Sequence, residues 1–439
     1  MITAIIQARM SATRLPGKVL MKLGNKTILE HVVSRTKKSK FVKKVVVATS
    51  DNKSDDEIAK LCQEKNINYF RGSLGDVLDR YYQASKKYKA EHICRITADC
   101  PFIDPEIIDQ VAEIYLNNKY DYVSTGRIKI TFPDGVDTEI FSFNALERAW
   151  RESVMPSERE HVTPYIWKNT NKFKVYTINC KKNLSFMRWT VDEQRDLEFV
   201  REVYKRMGKI KGIFRTRDVL EVLEKNPELM KINGDIGNDE GYSKSINEDK
   251  FLIKLKKIKS KKIIINGKQI YLRSLTKRNA TKNYCSWLND EEVNKYLVNK
   301  YRNGAKATIK ELRSYIDEKN KSQESIFLGI FYKKNNKHIG NIKLEPIDLK
   351  RRSAITGILI GDKNYWGRGV ASEAIKLIIT FSFKKLGLVE LNLGVLPENK
   401  SARRVYEKNG FKLDRIKKKS IKLDGRFYDN YLMKLINNL

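Results

Sequence analysis

The sequence predicts an α/β protein whose first half folds around a mostly parallel sheet, with a separate second domain behind it. Three observations carry this expectation. Short apolar runs that read as buried strands alternate with amphipathic helical segments from the N-terminus onward. At 439 residues the chain exceeds one ordinary core, so two or three domains are expected. Residues 231–249 are rich in Asn, Gly, Ser and acidic side chains, and a new pattern begins near residue 263.

The first strand is set by Ile2, Ala4, Ile5 and Ile6. A loop of small residues follows, carrying Arg9, Arg14 and Lys18. Three cations on a turn at the carboxyl end of a parallel strand suit a polyphosphate, because loop amides and fixed charges neutralise it together. It is not a Walker loop: the G-x-x-x-x-G-K-[ST] spacing is absent and Val19 follows Lys18. Residues 45–48 form a second apolar run, and residues 55–65 have helical spacing through Ile58, Leu61 and Cys62. A brief strand is expected at 68–70, an amphipathic helix at 74–88 and a strand at 93–96. Asp104 and Pro105 open a further helix as N-cap and first-turn proline. Asp99 lies just past the strand at 93–96, where a carboxylate can hold Mg²⁺ on a bound nucleotide. Asp192 is expected at a strand end, before a helix with Leu197, Val200, Val203 and Tyr204 on one face.

The excess of 87 Lys and Arg over 53 Asp and Glu leaves a formal charge of +34. It is dispersed, and no nucleic-acid-binding motif accompanies it, so anionic small substrates are expected as partners rather than nucleic acid. Five cysteines without a C-x-x-C and four histidines without an H-x-x-x-H argue against structural zinc. No apolar run approaches a membrane span and no signal peptide is read, so a cytoplasmic location is expected. Residues 241–262, basic toward the end, read as a linker.

The string Ile5-Ile6-Gln7-Ala8-Arg9-Met10, with Arg14-Leu15-Pro16-Gly17-Lys18 behind it, resembles the cytidylyltransferases that make CMP-Kdo and CMP-sialic acids, especially the SpsF-type branch. The resemblance covers about residues 1–240 and implies a Rossmann-like, mostly parallel nucleotidyltransferase domain. It implies CTP binding by Gln7, Ala8, Arg9, Arg14, Lys18 and Asp99, with Arg9, Lys18 and Asp99 catalytic. Asp99-Cys100-Pro101 matches the family's D-x-P metal aspartate, and the segment from Thr190 to Glu198 matches its T-V-D-x-x-x-D-L-E element. Asp99 and Asp192 are thereby the implied Mg²⁺ ligands. Arg71, Arg80, Asp137, Glu139 and His161 lie in family-like segments expected to meet the sugar.

In the second half, residues 263–272 read as a hairpin with an Asn266-Gly267 turn. Tyr365-Trp366-Gly367-Arg368-Gly369-Val370-Ala371 follows a strand and opens a long helix, which exposes amides at a helix N-terminus. With Asn399, Ala402, Tyr406, Gly410 and Phe411 in an N-x-x-A-x-x-x-Y-x-x-x-G-F pattern, this region resembles GNAT N-acetyltransferases of the RimJ/RimL and PseH type. The resemblance implies an α+β domain over 263–439 that binds acetyl-CoA through Gly367, Arg368, Gly369, Val370, Ala371, Asn399 and Tyr406. Tyr406 is expected to protonate the departing thiolate, and Glu345 to act as base for the amine. Trp366 departs from the family, which usually has Gln or Arg there.

The expected whole is a bifunctional enzyme using CTP, an acidic sugar, acetyl-CoA and an amino-sugar nucleotide, with Mg²⁺ as cofactor, a homodimer and no membrane insertion. Two competing readings are an acetyltransferase of protein N-termini joined to a nucleotidyltransferase of other substrate, and a nucleic-acid-associated protein with degenerate domains.

Overall fold

The computed structural model describes residues 1–126, 129–209, 212–237, 240–297, 305–423 and 425–437. The chain divides into two compact units, Met1–Ile246 and Asn247–Leu439. Among the described residues no helix is long and apolar enough to cross a membrane.

The first unit is built on seven strands: β1 (Ile2–Gln7), β2 (Val42–Ser50), β3 (Asn68–Gly72), β4 (His92–Thr97), β5 (Tyr122–Ser124), β6 (Glu139–Ser142) and β7 (Val175–Thr177). Their order is β3-β2-β1-β4-β6-β5-β7. The strands from β3 to β4 are parallel, and β6 runs antiparallel to both its neighbours. The central strands bury both faces, which is why they read as unbroken apolar runs. Ile2, Ala4 and Ile6 of β1 enter one core with Val45, Val47 and Ile96, while Ile5 enters the opposite core with Ala48 and Ile93. The longer helices of the unit are α1 (Ile28–Thr36), α2 (Asp56–Glu64), α3 (Val77–Lys87), α4 (Pro105–Asn117), α5 (Phe143–Glu152), α6 (Gln194–Arg206) and α7 (Thr216–Lys225), and two shorter ones span Pro156–His161 and Pro164–Lys168. The Asp104 side chain accepts from the Glu106 amide and caps α4 as expected.

The segment expected as a linker is instead a helix, α8 (Glu240–Lys259). Composition hid its apolar residues: Phe251, Leu252 and Leu255 are buried, and Phe251 and Leu255 join the core of the second unit. One lysine of the basic run is structural. Lys259 donates to the carbonyls of Ser322 and Ser325, and burial lowers its pKa.

The second unit holds an eight-stranded sheet. Its strands are β8 (Ile264–Asn266), β9 (Ile270–Ser274), β10 (Ile326–Tyr332), β11 (Lys337–Asp348), β12 (Ser353–Ile360), β13 (Glu390–Val395), β14 (Lys412–Leu423) and β15 (Arg426–Ile436). The order is β8-β9-β10-β11-β12-β13-β15-β14. Among the described residues the β12–β13 pair is parallel and the other strand pairs of this sheet are antiparallel. Helices α9 (Lys282–Asn289) and α10 (Ile309–Lys321) supply residues to one core cluster, and α11 (Val370–Thr380) and α12 (Lys400–Lys408) to another.

The expected β8–β9 hairpin forms, but not around an Asn-Gly turn. Asn266 stays in the ladder opposite Tyr271, and the chain reverses over residues 267–270. Glu373 of α11 accepts from the amides of Lys268 and Gln269, so a distant carboxylate sets this turn.

His338 of β11 stacks on Phe331 at 4.8 Å, edges onto Trp287 at 5.0 Å and bonds Asn341 at 2.9 Å. Burial lowers its pKa from 6.5 to about 4. The folded ring therefore stays neutral while the unfolded chain takes up a proton below its ordinary pKa. Stability of the second unit is expected to hold above pH 6.5 and to fall on the order of 3 kcal/mol toward pH 4. Calorimetric melting should show that slope in the wild type and a flatter one in His338→Phe. Equal slopes would remove His338 as the cause.

Candidate active sites

The first site lies at the carboxyl ends of β1 and β4. The loop after β1 is closed by the Gly17 amide donating to the Met10 carbonyl at 2.9 Å, with Gly17 at φ +74°, a conformation that suits glycine. Asp55, fully buried, anchors the same loop by accepting from the Met10 amide at 2.8 Å and from Ser50 and Thr49. Burial would raise its pKa, but these hydrogen bonds outweigh it and lower it.

Lys18 begins the turn after Gly17. Its Nζ lies 2.5 Å from Asp99 Oδ2 and 2.7 Å from Asp192 Oδ1. Three residues separated by up to 174 positions thus meet at one nitrogen. Burial alone would lower the Lys18 pKa, yet the two carboxylates outweigh it and hold the ammonium above its ordinary value. Burial would likewise raise Asp99, and Lys18 reverses that shift. Asp192 does not end a strand; it sits in an irregular segment pinned by the Val191 amide on the Asp99 carbonyl at 2.9 Å. Arg14 reaches Asp192 Oδ2 at 2.9 Å, Glu193 at 3.0 Å and Glu240 at 3.4 Å.

Behind these residues stands Arg188, whose side chain is 2% exposed. It binds Asp134, Asp192 and Asp196. Burial would lower its pKa, but Asp196 and the other carboxylates raise it. Asp196 in turn accepts from the Asp192 and Glu193 amides at 3.0 Å, which fixes the approach to α6. Gly135 is forced by close approach: at φ +110° its Cβ would lie 2.6 Å from the Thr190 nitrogen. Sequence reasoning missed Asp55, Arg188 and Asp134 as site-building residues. The four-residue spacing of Arg188, Asp192 and Asp196 was the available signal.

Ala8 is buried, with its amide on the Ala48 carbonyl at 3.1 Å. Gln7 has a buried Oε1 without a partner among the described residues. Arg9 is half-buried, and its charge adds to the burial that lowers the Arg80 pKa. Arg80 is 2% exposed, and its Nε and Nη1 lack partners among the described residues. Arg71 is tied to the loop after β2, through the Ser50 and Asn52 carbonyls and an ion pair with Asp56 at 2.7 Å. Asp137 is half-buried and accepts from the Gly135 amide at 3.3 Å. His161 bonds Ser245 at 3.0 Å and faces the Tyr242 ring at 5.1 Å. Glu139 overturns expectation: it is 1% exposed and holds Arg95, Tyr122 and Thr163, so its carboxylate is spent inside the fold rather than on a sugar.

The second site lies where β12 and β13 part. They pair at only three positions, Ser353–Glu390 through Ile355–Asn392. The loop after β12 places Gly367 at φ +73° and Gly369 at φ +78°, with nothing within 4 Å of a Cβ built on either. Gly369 is the N-cap of α11, Arg368 is exposed, Val370 is buried and Ala371 is half-buried. Trp366 has a local reason: its indole donates to the Ile360 carbonyl at 2.8 Å and pins this loop to the end of β12. Asn399 caps α12 by accepting from the Ala402 amide at 3.1 Å. Tyr406 is buried in the core against Phe411, and burial pushes its pKa up to about 12. It therefore stays protonated at neutral pH, the state an acid needs.

Glu345 does not suit the role of base. It sits at the bulge in β11, 2.7 Å from Lys319 and 3.1 Å from Lys343. Burial would raise its pKa, but the two ammonium groups outweigh it and lower it, so this carboxylate is a poor proton acceptor.

The cytidylyltransferase family pattern matches residues 3–270, more than half of the chain, and the GNAT acetyltransferase domain pattern matches residues 269–412. The chain is 32% identical over 234 residues to the spore coat polysaccharide biosynthesis protein SpsF of Bacillus subtilis, covering 52% of this chain and 95% of that protein. It is 29% identical over 183 residues to the probable N-acetyltransferase YjcK of Bacillus subtilis, covering 40% of this chain and 97% of that protein. A solved cytidylyltransferase from Leptospira borgpetersenii aligns at a TM-score of 0.50 and 36% identity, covering 52% of this chain and 95% of that one. The chain belongs to the cytidylyltransferase family and carries a GNAT acetyltransferase domain behind it, two transferases in one polypeptide.

Proposed function

We propose that the first domain transfers CMP from CTP to an acidic sugar, with nonulosonic acids of the pseudaminic type favoured, and that the second N-acetylates an amino-sugar precursor with acetyl-CoA. The acceptor of the second step is proposed as a nucleotide-linked amino sugar, and the product as a building block for surface polysaccharide or flagellin glycosylation in the cytoplasm. The observation that carries the first half is the meeting of Lys18, Asp99, Asp192 and Arg14 at the strand ends. The polysaccharide role named for the SpsF relative supports the sugar assignment.

Mg²⁺ is implied by the family, and the carboxylates fit it. Asp99 and Asp192 both place an oxygen within 2.7 Å of one point, and their side chains keep 23% and 26% exposure. Two carboxylates leave the remaining octahedral positions to phosphate and water, as Mg²⁺ prefers. When bound, the ion would polarise the α-phosphate and favour the deprotonated sugar hydroxyl. Arg9, Arg14 and Lys18 hold the triphosphate and receive the charge of the departing pyrophosphate. Arg188 is held in place by Asp196 and keeps Asp192 oriented. Arg71, Arg80, Asp137 and His161 are proposed to surround the sugar, with Glu139 supporting them from inside. In the second domain the amides at 367–371 take the acetyl-CoA pyrophosphate, and Tyr406 returns a proton to the thiolate.

Calorimetric titration with CTP, ATP, GTP and UTP in the presence of Mg²⁺ tests the first half. CTP is expected to bind at least tenfold more tightly than the others. Equal binding of all four would overturn the cytidine assignment.

A further inference from the structure

We propose that Lys18 is a built-in placeholder for the divalent cation, so that metal and triphosphate enter the first site by exchanging ion-pair partners with it. This rests on the reading of Asp99 and Asp192 as the metal-binding carboxylates.

The geometry makes the site self-neutralised. The Lys18 ammonium bridges the oxygens of Asp99 and Asp192 that face each other, at 2.5 and 2.7 Å. Arg14 takes the other Asp192 oxygen at 2.9 Å and reaches on to Glu193 and Glu240. The groups that should bind phosphate are thus paired with the groups that should bind metal.

Two kinds of cation surround Asp192, and they differ in freedom. Arg188 is locked on the fully buried Asp196 and cannot leave. Lys18 hangs on a four-carbon stem that starts beside Gly17, and Arg14 is 28% exposed on the same loop. Lys18 is itself buried, with 9% of its side chain exposed, but its ion-pair partners Asp99 and Asp192 keep 23% and 26% exposure, so the bridge opens on the solvent side of the core.

The exchange has a direction. A divalent cation alone must displace an ammonium from two carboxylates while Arg14 and Arg188 repel it. A triphosphate alone must approach Asp99, Asp192, Glu193 and Glu240. When both arrive, the carboxylates take the metal, and Lys18 and Arg14 turn to the phosphates, so every charge keeps an opposite partner. The resting protein therefore binds metal weakly until nucleotide is present.

The test is Mn²⁺ binding to the nucleotide-free full-length protein, read as loss of the free-ion electron paramagnetic resonance signal. Lys18→Met should bind Mn²⁺ at least tenfold more tightly than wild type, and Lys18→Arg, which keeps the cation, should stay close to wild type. Adding Asp99→Asn to Lys18→Met should remove the gained affinity. Arg14→Gln, which leaves the Lys18 bridge in place, should tighten Mn²⁺ by a smaller factor of about three, and it serves if Lys18→Met does not fold. Affinity that is unchanged or weaker in both Lys18→Met and Arg14→Gln, but lost on Asp99→Asn, would overturn the placeholder while leaving the metal site standing. Binding indifferent to Asp99→Asn in every background would overturn both.

Discussion

Asp99→Ala is expected to lower nucleotidyl transfer by roughly a thousandfold or more, about 4 kcal/mol of transition-state stabilisation, while acetyl transfer stays at the wild-type level. Attack on the α-phosphorus spreads negative charge over phosphate oxygens, and under the proposed role of Asp99 and Asp192 a bound metal would lose half its protein anchor when one carboxylate is cut to a methyl. Asp99 is also one of the two partners of Lys18, so its loss leaves that ammonium on Asp192 alone. The loop itself should survive, because the Asp99 backbone carbonyl, not its side chain, accepts from Val191. Steady-state assays of both activities on one preparation separate the outcomes. Retained CMP transfer would take Asp99 out of the metal site, and parallel loss of acetylation would indicate unfolding instead.

Much of the first site was legible because its groups sit in compact strings. Arg9, Arg14 and Lys18 share one loop, and Asp99 follows a strand whose apolar pattern is unambiguous. The parallel core was legible for the same reason, since strands buried on both faces carry unbroken apolar runs. What stayed hidden is pairing across the chain. Arg188 looks like an ordinary surface arginine until Asp134, Asp192 and Asp196 close around it. Glu139 lies in a family-like segment, yet its neighbours Arg95 of β4, Tyr122 of β5 and Thr163 from a distant bend turn it inward. Asp55 reads as the start of a helix, and only the Met10 amide 45 residues away shows that it shapes the loop after β1.

The second domain repeats the contrast. Its glycines and its Asn-to-Phe pattern were readable, whereas the β8–β9 turn was not, because Glu373 sets it from more than a hundred residues away. Glu345 failed as a base for an electrostatic reason: Lys319 arrives from α10 and Lys343 from the same strand. The helix at 240–259 was concealed by lysines that mask Phe251 and Leu255. Composition weighs every residue equally, but a helix needs only one apolar stripe to bury.

Gly369→Trp is expected to abolish measurable acetyl-CoA binding, a loss of at least a hundredfold, while CTP binding persists. Gly369 is the N-cap of α11 at φ +78°, and nothing lies within 4 Å of the position its Cβ would occupy. A side chain there enters open space at the N-terminus of α11, and a pyrophosphate that uses the first-turn amides would compete for that space. Two effects add. The left-handed backbone disfavours any β-carbon by about 1 kcal/mol, and the indole fills the approach. Gly369→Ala separates them, since it carries the backbone strain with little bulk. Its acetyl-CoA affinity should fall far less, on the order of tenfold. Val370, Ala374 and Ile375 keep α11 buried against the sheet, so the helix should hold in both variants. Isothermal titration with acetyl-CoA and with CTP, beside a melting curve, decides the matter. Undiminished acetyl-CoA affinity in the tryptophan variant would move the pyrophosphate away from α11, and an equal loss in both variants would assign the effect to strain rather than to occupation of the cradle.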